Sequence, residues 1–324
     1  MEQNQEEPGI SACNGKLLLP YVVLQTFPEG LSEENIKTEF LDTLFELPPE
    51  LNEYKKRITL KKEQDAEASG QVFFDGNLAR LTNFFPNEDY NHLDLVLQHT
   101  SFFAHACSNK SLEENIKELD GKTPLEYYGL GANIKQLDNI LANPIGVNCV
   151  LITKDNYVVI VERSEKLSQY PGLYGIPAGF MTPKNNKGES LDTTFHETAY
   201  REIKEEVGDF KSEVYLVEIG RALDDLHIEV NMIGEIDALK SEIEEAIIAA
   251  TWEEKGKKFI QFNPEDCAKY LAMKITETPK NVPPQYWIKG KTPKWCPAHH
   301  RAIYLALANE YGQKEINKAI SNRL

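Results

Sequence analysis

The run Arg201-Glu202-Ile203-Lys204-Glu205-Glu206-Val207-Gly208 gathers three carboxylates and an arginine just ahead of a glycine. On a helix the i, i+3 and i+4 positions are neighbours, so Glu202 and Glu206 stack on one face with Glu205 beside them. Carboxylates in that arrangement suit a hard divalent cation with an oxygen shell, Mg²⁺ or its substitute Mn²⁺. Such a cation activates water and offsets phosphate charge. The competing reading of these four residues is an ordinary solvated helix laced with Glu and Lys.

The acidic row needs a rigid support. Phe195, Ala199, Ile203 and Val207 recur at every fourth position, one step round from Glu202 and Glu206, so the row borders a buried stripe. Ser190 or Asp192 is expected to cap the helix, and Gly208 suits an αL position at its end. Upstream, residues 147–153 and 157–162 read as Val- and Ile-rich strands around the turn residues Lys154-Asp155-Asn156. An ordered loop, Tyr170-Pro171-Gly172-Leu173-Tyr174-Gly175-Ile176-Pro177-Ala178-Gly179, leads toward the helix. Downstream the pattern predicts strands over 214–219, 227–233 and 259–262. Helices are expected over 237–249, 265–273 and 296–311, with a surface loop over 276–293.

Ahead of Asn143-Pro144 the pattern differs. Residues 1–15 read as a disordered tail and 16–142 as a small α+β domain, leaving 143–324 as a second domain that ends in a helix. In the first domain we expect a strand over 17–26 and a helix over 31–45 closed by Pro48-Pro49. A charged exposed segment over 55–70, a strand pair over 71–83 turning at Asp75-Gly76, a strand over 93–98 and a helix over 111–119 follow. Gly129-Leu130-Gly131 lacks the third glycine of a dinucleotide loop and carries no function here.

Lysine plus arginine number 35 against 51 acidic residues, a formal charge of −16. Such a surface repels extended polyanions, which disfavours nucleic acid and anionic membranes and leaves a small-molecule ligand. No apolar run approaches the roughly 20 residues that cross a bilayer. The polar start lacks signal-peptide features. Cys13, Cys107, Cys149, Cys267 and Cys296 are odd in number and scattered, as expected of reduced thiols in the cytoplasm. Asn109-Lys110-Ser111 is then a chance sequon.

Arg201 to Gly208 resembles the core of the Nudix box, R-E-U-x-E-E-x-G, the signature of hydrolases acting on nucleoside diphosphates linked to another group. Pro177-Ala178-Gly179 and Gly188-Glu189-Ser190 stand where that family has its loop glycine and first glutamate. The spacing departs from the pattern: nine residues separate Gly179 from Glu189 and eleven separate Glu189 from Arg201, where the family has five and seven. Asp209 also replaces a usually apolar residue. The resemblance implies an α/β Nudix fold, an α/β/α sandwich with a mixed sheet. A weaker likeness to the atypical Nudix branch of UDP-glucose pyrophosphatases rests on Asn143-Pro144-Ile145-Gly146-Val147, Pro171-Gly172-Leu173 and Cys296-Pro297. It implies Mg²⁺-dependent hydrolysis of a nucleotide sugar, UDP-glucose or UDP-galactose, to UMP and a sugar 1-phosphate. ADP-ribose is the competing substrate, and a nucleotide-binding module without turnover is the competing class.

By the same resemblance Glu202 and Glu206 are metal ligands, Glu205 is a ligand or orients water, and the Ala178 carbonyl completes the shell. Glu205 and Glu206 are thus catalytic candidates. Glu189, Arg201 and Gly208 shape the motif, Arg201 by holding a carboxylate. Glu253 and Glu254 are candidate general bases or simply a charged loop. Arg163, Tyr170, Tyr174 and Gly179 are the candidate substrate contacts. For Arg163 the alternative is a surface arginine, and for the tyrosines it is packing against Pro171 and Pro177. Cys296, His299 and His300 lie within one helix turn without a fourth partner, which disfavours zinc. A P-loop and a G-x-S-x-G elbow are both missing from the sequence.

Overall fold

The structure is a computed structural model that describes residues 10–13, 17–69, 75–165, 170–184, 188–246, 254–274 and 294–324. The chain opens with a short antiparallel ladder, β1 (Ile10–Ala12) on β2 (Leu17–Leu19), so part of the expected tail is a strand. After β3 (Tyr21–Leu31) comes β4 (Ile36–Leu44), where a helix was expected. Ile36, Phe40 and Leu44 have helical spacing, but parallel pairing to a later strand, Ile36 to Leu93 and Phe40 to Leu97, fixes an extended chain. The helix starts later, as α1 (Pro49–Ser69), with Pro49 opening it because the first helical N–H needs no partner.

Next come β5 (Asn77–Pro86), β6 (Leu93–Ser101), α2 (Phe102–Cys107) and α3 (Pro124–Tyr127). Of the expected strand pair over 71–83, residues 71–74 lie outside the described residues and the remainder enters the single strand β5. The expected helix over 111–119 is turns ending in a 3-10 segment, Lys117–Leu119.

The second half contains β7 (Ile145–Thr153), β8 (Tyr157–Arg163), β9 (Tyr174–Gly175), β10 (Ala178–Phe180), α4 (Phe195–Glu206), β11 (Ser212–Ala222) and β12 (Ile228–Ile236). It closes with α5 (Lys240–Glu245), β13 (Glu254–Gln261), α6 (Pro264–Leu271), α7 (Pro297–Tyr311) and α8 (Gln313–Ser321). Gly312 separates α7 from α8, which the sequence pattern did not divide. The expected loop over 276–293 lies outside the described residues.

The main sheet runs β13-β8-β7-β12-β11-β3, with β10 on β7 and β9 on β8. Only β7 and β12 run parallel in it, so the sheet is mixed, as the resemblance implied. Because β3 forms its far edge, the sheet crosses the expected division at residue 142. A second sheet, β4-β6-β5, packs its leucines into the same core.

Strand β7 is buried on both sides, which its near-continuous apolar sequence anticipates. Ile145, Val147, Cys149 and Leu151 face α4 through Phe195, Ala199 and Ile203. Val150 and Ile152 face α6, α7 and α8 across the sheet, giving three layers. Between the sheet and α7, the fully buried Glu218 receives Nε of Arg301 at 3.0 Å and Nη2 at 2.5 Å. Removing one partner strands a buried charge. We therefore expect Arg301→Met to cost about 3–5 kcal/mol in urea unfolding, and Glu218→Gln added to it to recover part of that loss.

Candidate active site

Helix α4 begins at Thr194, whose hydroxyl accepts from the Glu197 N–H while Glu197 reaches back to the Thr194 N–H. Thr-x-x-Glu is a capping box, a signal present in the sequence but passed over for Ser190 and Asp192. Asp192 serves differently. It is buried, it accepts Nε and Nη2 of Arg201, and the Thr182 N–H donates to it at 3.0 Å. The family spacing would put the first glutamate at Thr193, one residue away. Burial disfavours the Arg201 charge, but Asp192 and Glu202 outweigh that and raise its pKa.

The added residues form a closed excursion. Leu191 N–H donates to Pro183, Asp192 N–H donates to Thr182, and Ser190 bridges to Lys184. Glu189 stands in this excursion and Asp192 is the residue that engages Arg201. Gly208 ends α4 with φ at 138°, not the expected αL value, and an added Cβ there would meet Phe210 at 2.7 Å.

Strand β10 lies against the acidic row. The Ala178 N–H donates to Glu206 Oε2 at 3.1 Å, and Arg201 Nη2 donates to the Phe180 carbonyl at 3.0 Å. A Cβ on Gly179 would stand 1.8 Å from Glu202 Oε1, so this position has to be side-chain-free. Arg201 Nη1 also holds Glu202 Oε1 at 2.5 Å and lies 3.6 Å from Glu205. Glu202 and Glu206 are buried, while Glu205 is half exposed. Burial, then the charges of Glu202 and Glu206, push up the pKa of the Cys149 thiol in the strand beneath them.

The other predicted residues divide. Arg163 ends β8 and exchanges backbone hydrogen bonds with Gly172 and Leu173. Tyr170 holds Asp224 through its hydroxyl. Tyr174 goes elsewhere: its ring packs on Trp295 and Tyr270, under Lys258 and Lys294. Glu254 begins β13 opposite Arg163, and Glu253 lies outside the described residues.

Sequence reasoning missed a polar cluster on the α7 side of β10. His227 Nδ1 meets Asp225, and its Nε2 meets Glu229 at 2.7 Å. Asn148 donates to Glu229 and to Asn231, which donates to Glu218. Burial opposes the His227 charge, but Asp225 and Glu229 raise its pKa. Burial and the neighbouring Asp225 raise that of Asp224. The Asp224-Asp225-x-His227-x-Glu229 string was visible in the sequence, although nothing local indicated burial. Asn109 is buried too, donating to the Asp225 carbonyl at 2.9 Å, so its sequon is closed to carbohydrate in the folded chain.

Among the described residues no three His, Cys, Asp or Glu side chains converge as a protein-only metal cage. Two carboxylates beside the half-buried strand β10 still fit Mg²⁺, which takes one or two carboxylates and completes its shell with water and substrate phosphate. Cys296, His299 and His300 do not form a zinc site. His299 Nδ1 accepts from Ile176 N–H, and His300 Nε2 contacts the Leu271 carbonyl. The five cysteines are buried and form no disulfide among the described residues. No described helix is long and apolar enough to cross a membrane.

Residues 142–271, which hold β10 and α4, match the family model described as NUDIX domain. Over 44 residues the chain is 39% identical to uridine diphosphate glucose pyrophosphatase NUDT22 of Mus musculus. That alignment spans 14% of this chain and 14% of the relative's length. Among solved structures, the MutT protein of Methanosarcina mazei Go1 is 15% identical, with 50% of this chain and 94% of that chain covered and a TM-score of 0.29. The NUDIX domain of Shewanella oneidensis NrtR, complexed with ADP ribose, is 20% identical, with 40% and 80% covered and a TM-score of 0.28.

Burial lowers the pKa of His299 to about 3, with Arg163 and His227 adding to the effect, and lowers that of His300 to about 4. An unfolded histidine near 6.5 takes up protons that these folded rings refuse. Their contribution is full above about pH 6.5 and is lost as pH falls toward 4. We expect urea unfolding to show a stability lower by a few kcal/mol at pH 5 than at pH 7.5, and His300→Gln to flatten that slope.

Proposed function

We propose that the protein hydrolyses the pyrophosphate bond of a nucleoside diphosphate sugar, UDP-glucose or UDP-galactose, to UMP and a sugar 1-phosphate, with Mg²⁺ as cofactor. The observation that carries this reading is the side-chain-free approach of Gly179 to Glu202, beside the Ala178 N–H that orients Glu206. The Nudix domain supports hydrolysis at a phosphoanhydride. The choice of a UDP-sugar takes its support from the name of the mouse relative.

Glu202, Glu206 and the Ala178 carbonyl are the groups that would hold the cation. When bound, Mg²⁺ offsets diphosphate charge and makes water a better nucleophile. Arg201, anchored by Asp192, keeps the Glu202 carboxylate from swinging into solvent. Glu205, the most exposed of the three, is the candidate to join the shell or to orient the attacking water. Glu254, which begins β13, and its sequence neighbour Glu253 are the candidates to accept its proton. Arg163, whose strand end adjoins Glu254, is the candidate phosphate contact.

The test is product formation from UDP-glucose, UDP-galactose and ADP-ribose with Mg²⁺. UMP with a hexose 1-phosphate is the expected outcome. Release of AMP from ADP-ribose at higher kcat/KM would replace the substrate assignment. Binding without turnover of any nucleotide sugar would reduce the protein to a nucleotide-binding module. Glu206→Gln should lower kcat by about a hundredfold or more with the fold intact by circular dichroism. Gly179→Ala, which displaces Glu202, should weaken Mn²⁺ binding in calorimetry by about tenfold or more.

A further inference from the structure

The polar cluster on the α7 side of β10 is not used by the reaction as described, and several of its groups are left unsatisfied. Asp224 is buried; its Oδ2 takes the Tyr170 hydroxyl while its Oδ1 has no hydrogen-bond partner among the described residues. His105, from α2, is fully buried, and neither ring nitrogen makes a well-formed hydrogen bond. Its Nε2 stops 3.9 Å from Asp225 Oδ2, short of contact. Lys110 follows on the same segment, its N–H bonded to the His105 carbonyl. The Lys110 ammonium lies over the Phe102 ring at 5.2 Å, and no carboxylate is within 4 Å of it among the described residues.

Buried acceptors and donors left open cost free energy unless a ligand or an ordered water meets them. Three elements far apart in sequence bring these groups to one place. They are docked, not merely adjacent: Asn109 holds the Asp225 carbonyl, and the Phe180 ring contacts both His105 at 5.4 Å and His227 at 5.7 Å. Phe180 is also the residue whose carbonyl receives Arg201. The acidic row and the cluster therefore lie on opposite faces of one three-residue strand. β10 pairs with β7 alone among the described strands, and its other edge carries the Ala178 N–H bonded to Glu206 and the Phe180 carbonyl bonded to Arg201.

We propose that Asp224, His105 and Lys110 read the glycosyl half of the substrate, Asp224 Oδ1 accepting from a ring hydroxyl while His105 and Lys110 meet the neighbouring oxygens. A carboxylate oxygen recognises a group that donates, and a polyhydroxylated ring offers a donor at successive carbons with an acceptor on the same atom. A uracil offers a single N–H. This inference rests on the nucleotide-sugar reading above and makes the region before residue 142 part of substrate recognition.

The experiment compares kcat/KM for UDP-glucose, ADP-glucose and a uridine diphosphate ester of an acyclic alkyl alcohol, using the full chain and its Asp224→Asn and Lys110→Met variants. In Asp224→Asn the Tyr170 hydroxyl claims the amide oxygen and turns an NH₂ toward the ligand. Both variants should lose about tenfold to a hundredfold on UDP-glucose, mainly through KM. ADP-glucose should fall in parallel, and the preference for glucose over the acyclic ester should shrink by a similar factor. An unchanged glucose-to-acyclic ratio overturns the inference, as does a loss confined to the uridine compounds, which would mean that the base is read here. Should Asp224→Asn fail to fold, Lys110→Met carries the test, since that side chain is half-buried and has no ion-pair partner to lose among the described residues. Calorimetry of UDP-glucose binding separates this inference from the reading it rests on. Wild-type binding that Lys110→Met weakens, without turnover, would defeat the hydrolase and leave the glycosyl site standing.

Discussion

Gly179 and Glu202 meet at a separation that no side chain at residue 179 would allow, and three contacts of different kinds hold the two elements there. A backbone N–H orients Glu206, the Arg201 guanidinium binds the carbonyl at the other end of β10, and the Phe195-Ala199-Ile203 stripe seats the helix on β7. If the stripe shifted by one position, the carboxylates would rotate off the strand. If Arg201 lost its anchor, Glu202 would be one of several buried acids in a chain that already carries a charge of −16. The geometry of the acidic row is therefore a packing result first and an electrostatic one second.

Arg201 shows how the site tolerates a lengthened motif. Nine and eleven residues where the family has five and seven would place Glu189 far from the arginine if the chain ran directly. The chain instead leaves at Thr182 and returns at Asp192, where a backbone pair and a carboxylate bond close the excursion. Closing a loop a few residues longer costs little, because the entropy grows only with the logarithm of length. What the site requires is a buried carboxylate beside Arg201. An aspartate at a neighbouring position supplies it from one side chain carbon further back.

Much of the second half was legible because its signals are local. The apolar stripe of α4, the two strands around Asp155-Asn156 and the Glu202/Glu206 spacing follow from periodicity alone. The first half was less legible, since partners remote in sequence decide its structure. β4 has a helix-like pattern and is a strand because β6 is alongside, and β3 belongs to a sheet whose other strands come more than a hundred residues later. The buried cluster was invisible for the same reason. Asp225 and Glu229 look like surface acids until His227 is set between them and Asn148 arrives from β7, and Asp224 until Tyr170 arrives from the loop before β9.

That cluster continues as a polar chain through the middle of the protein, from His227 and Glu229 through Asn148 and Asn231 to Glu218 and Arg301. Every step after His227 to Glu229 crosses between strands or from sheet to helix, so the chain fixes the register of β7 against β12 and the seating of α7 on both. An apolar replacement would pack as well and cost less desolvation, but it would not distinguish one register from the next. A shift of one residue in β12 would turn Glu229 and Asn231 into the α4 core and Val230 toward Arg301. β10 takes its position from β7, through the pairing of Ala178 with Asn148 and Gly179 with Val147. The strand that carries Gly179 to Glu202 is thus located by the same pairing that this polar chain holds in register, which couples the acidic row on one face to the open acceptors on the other.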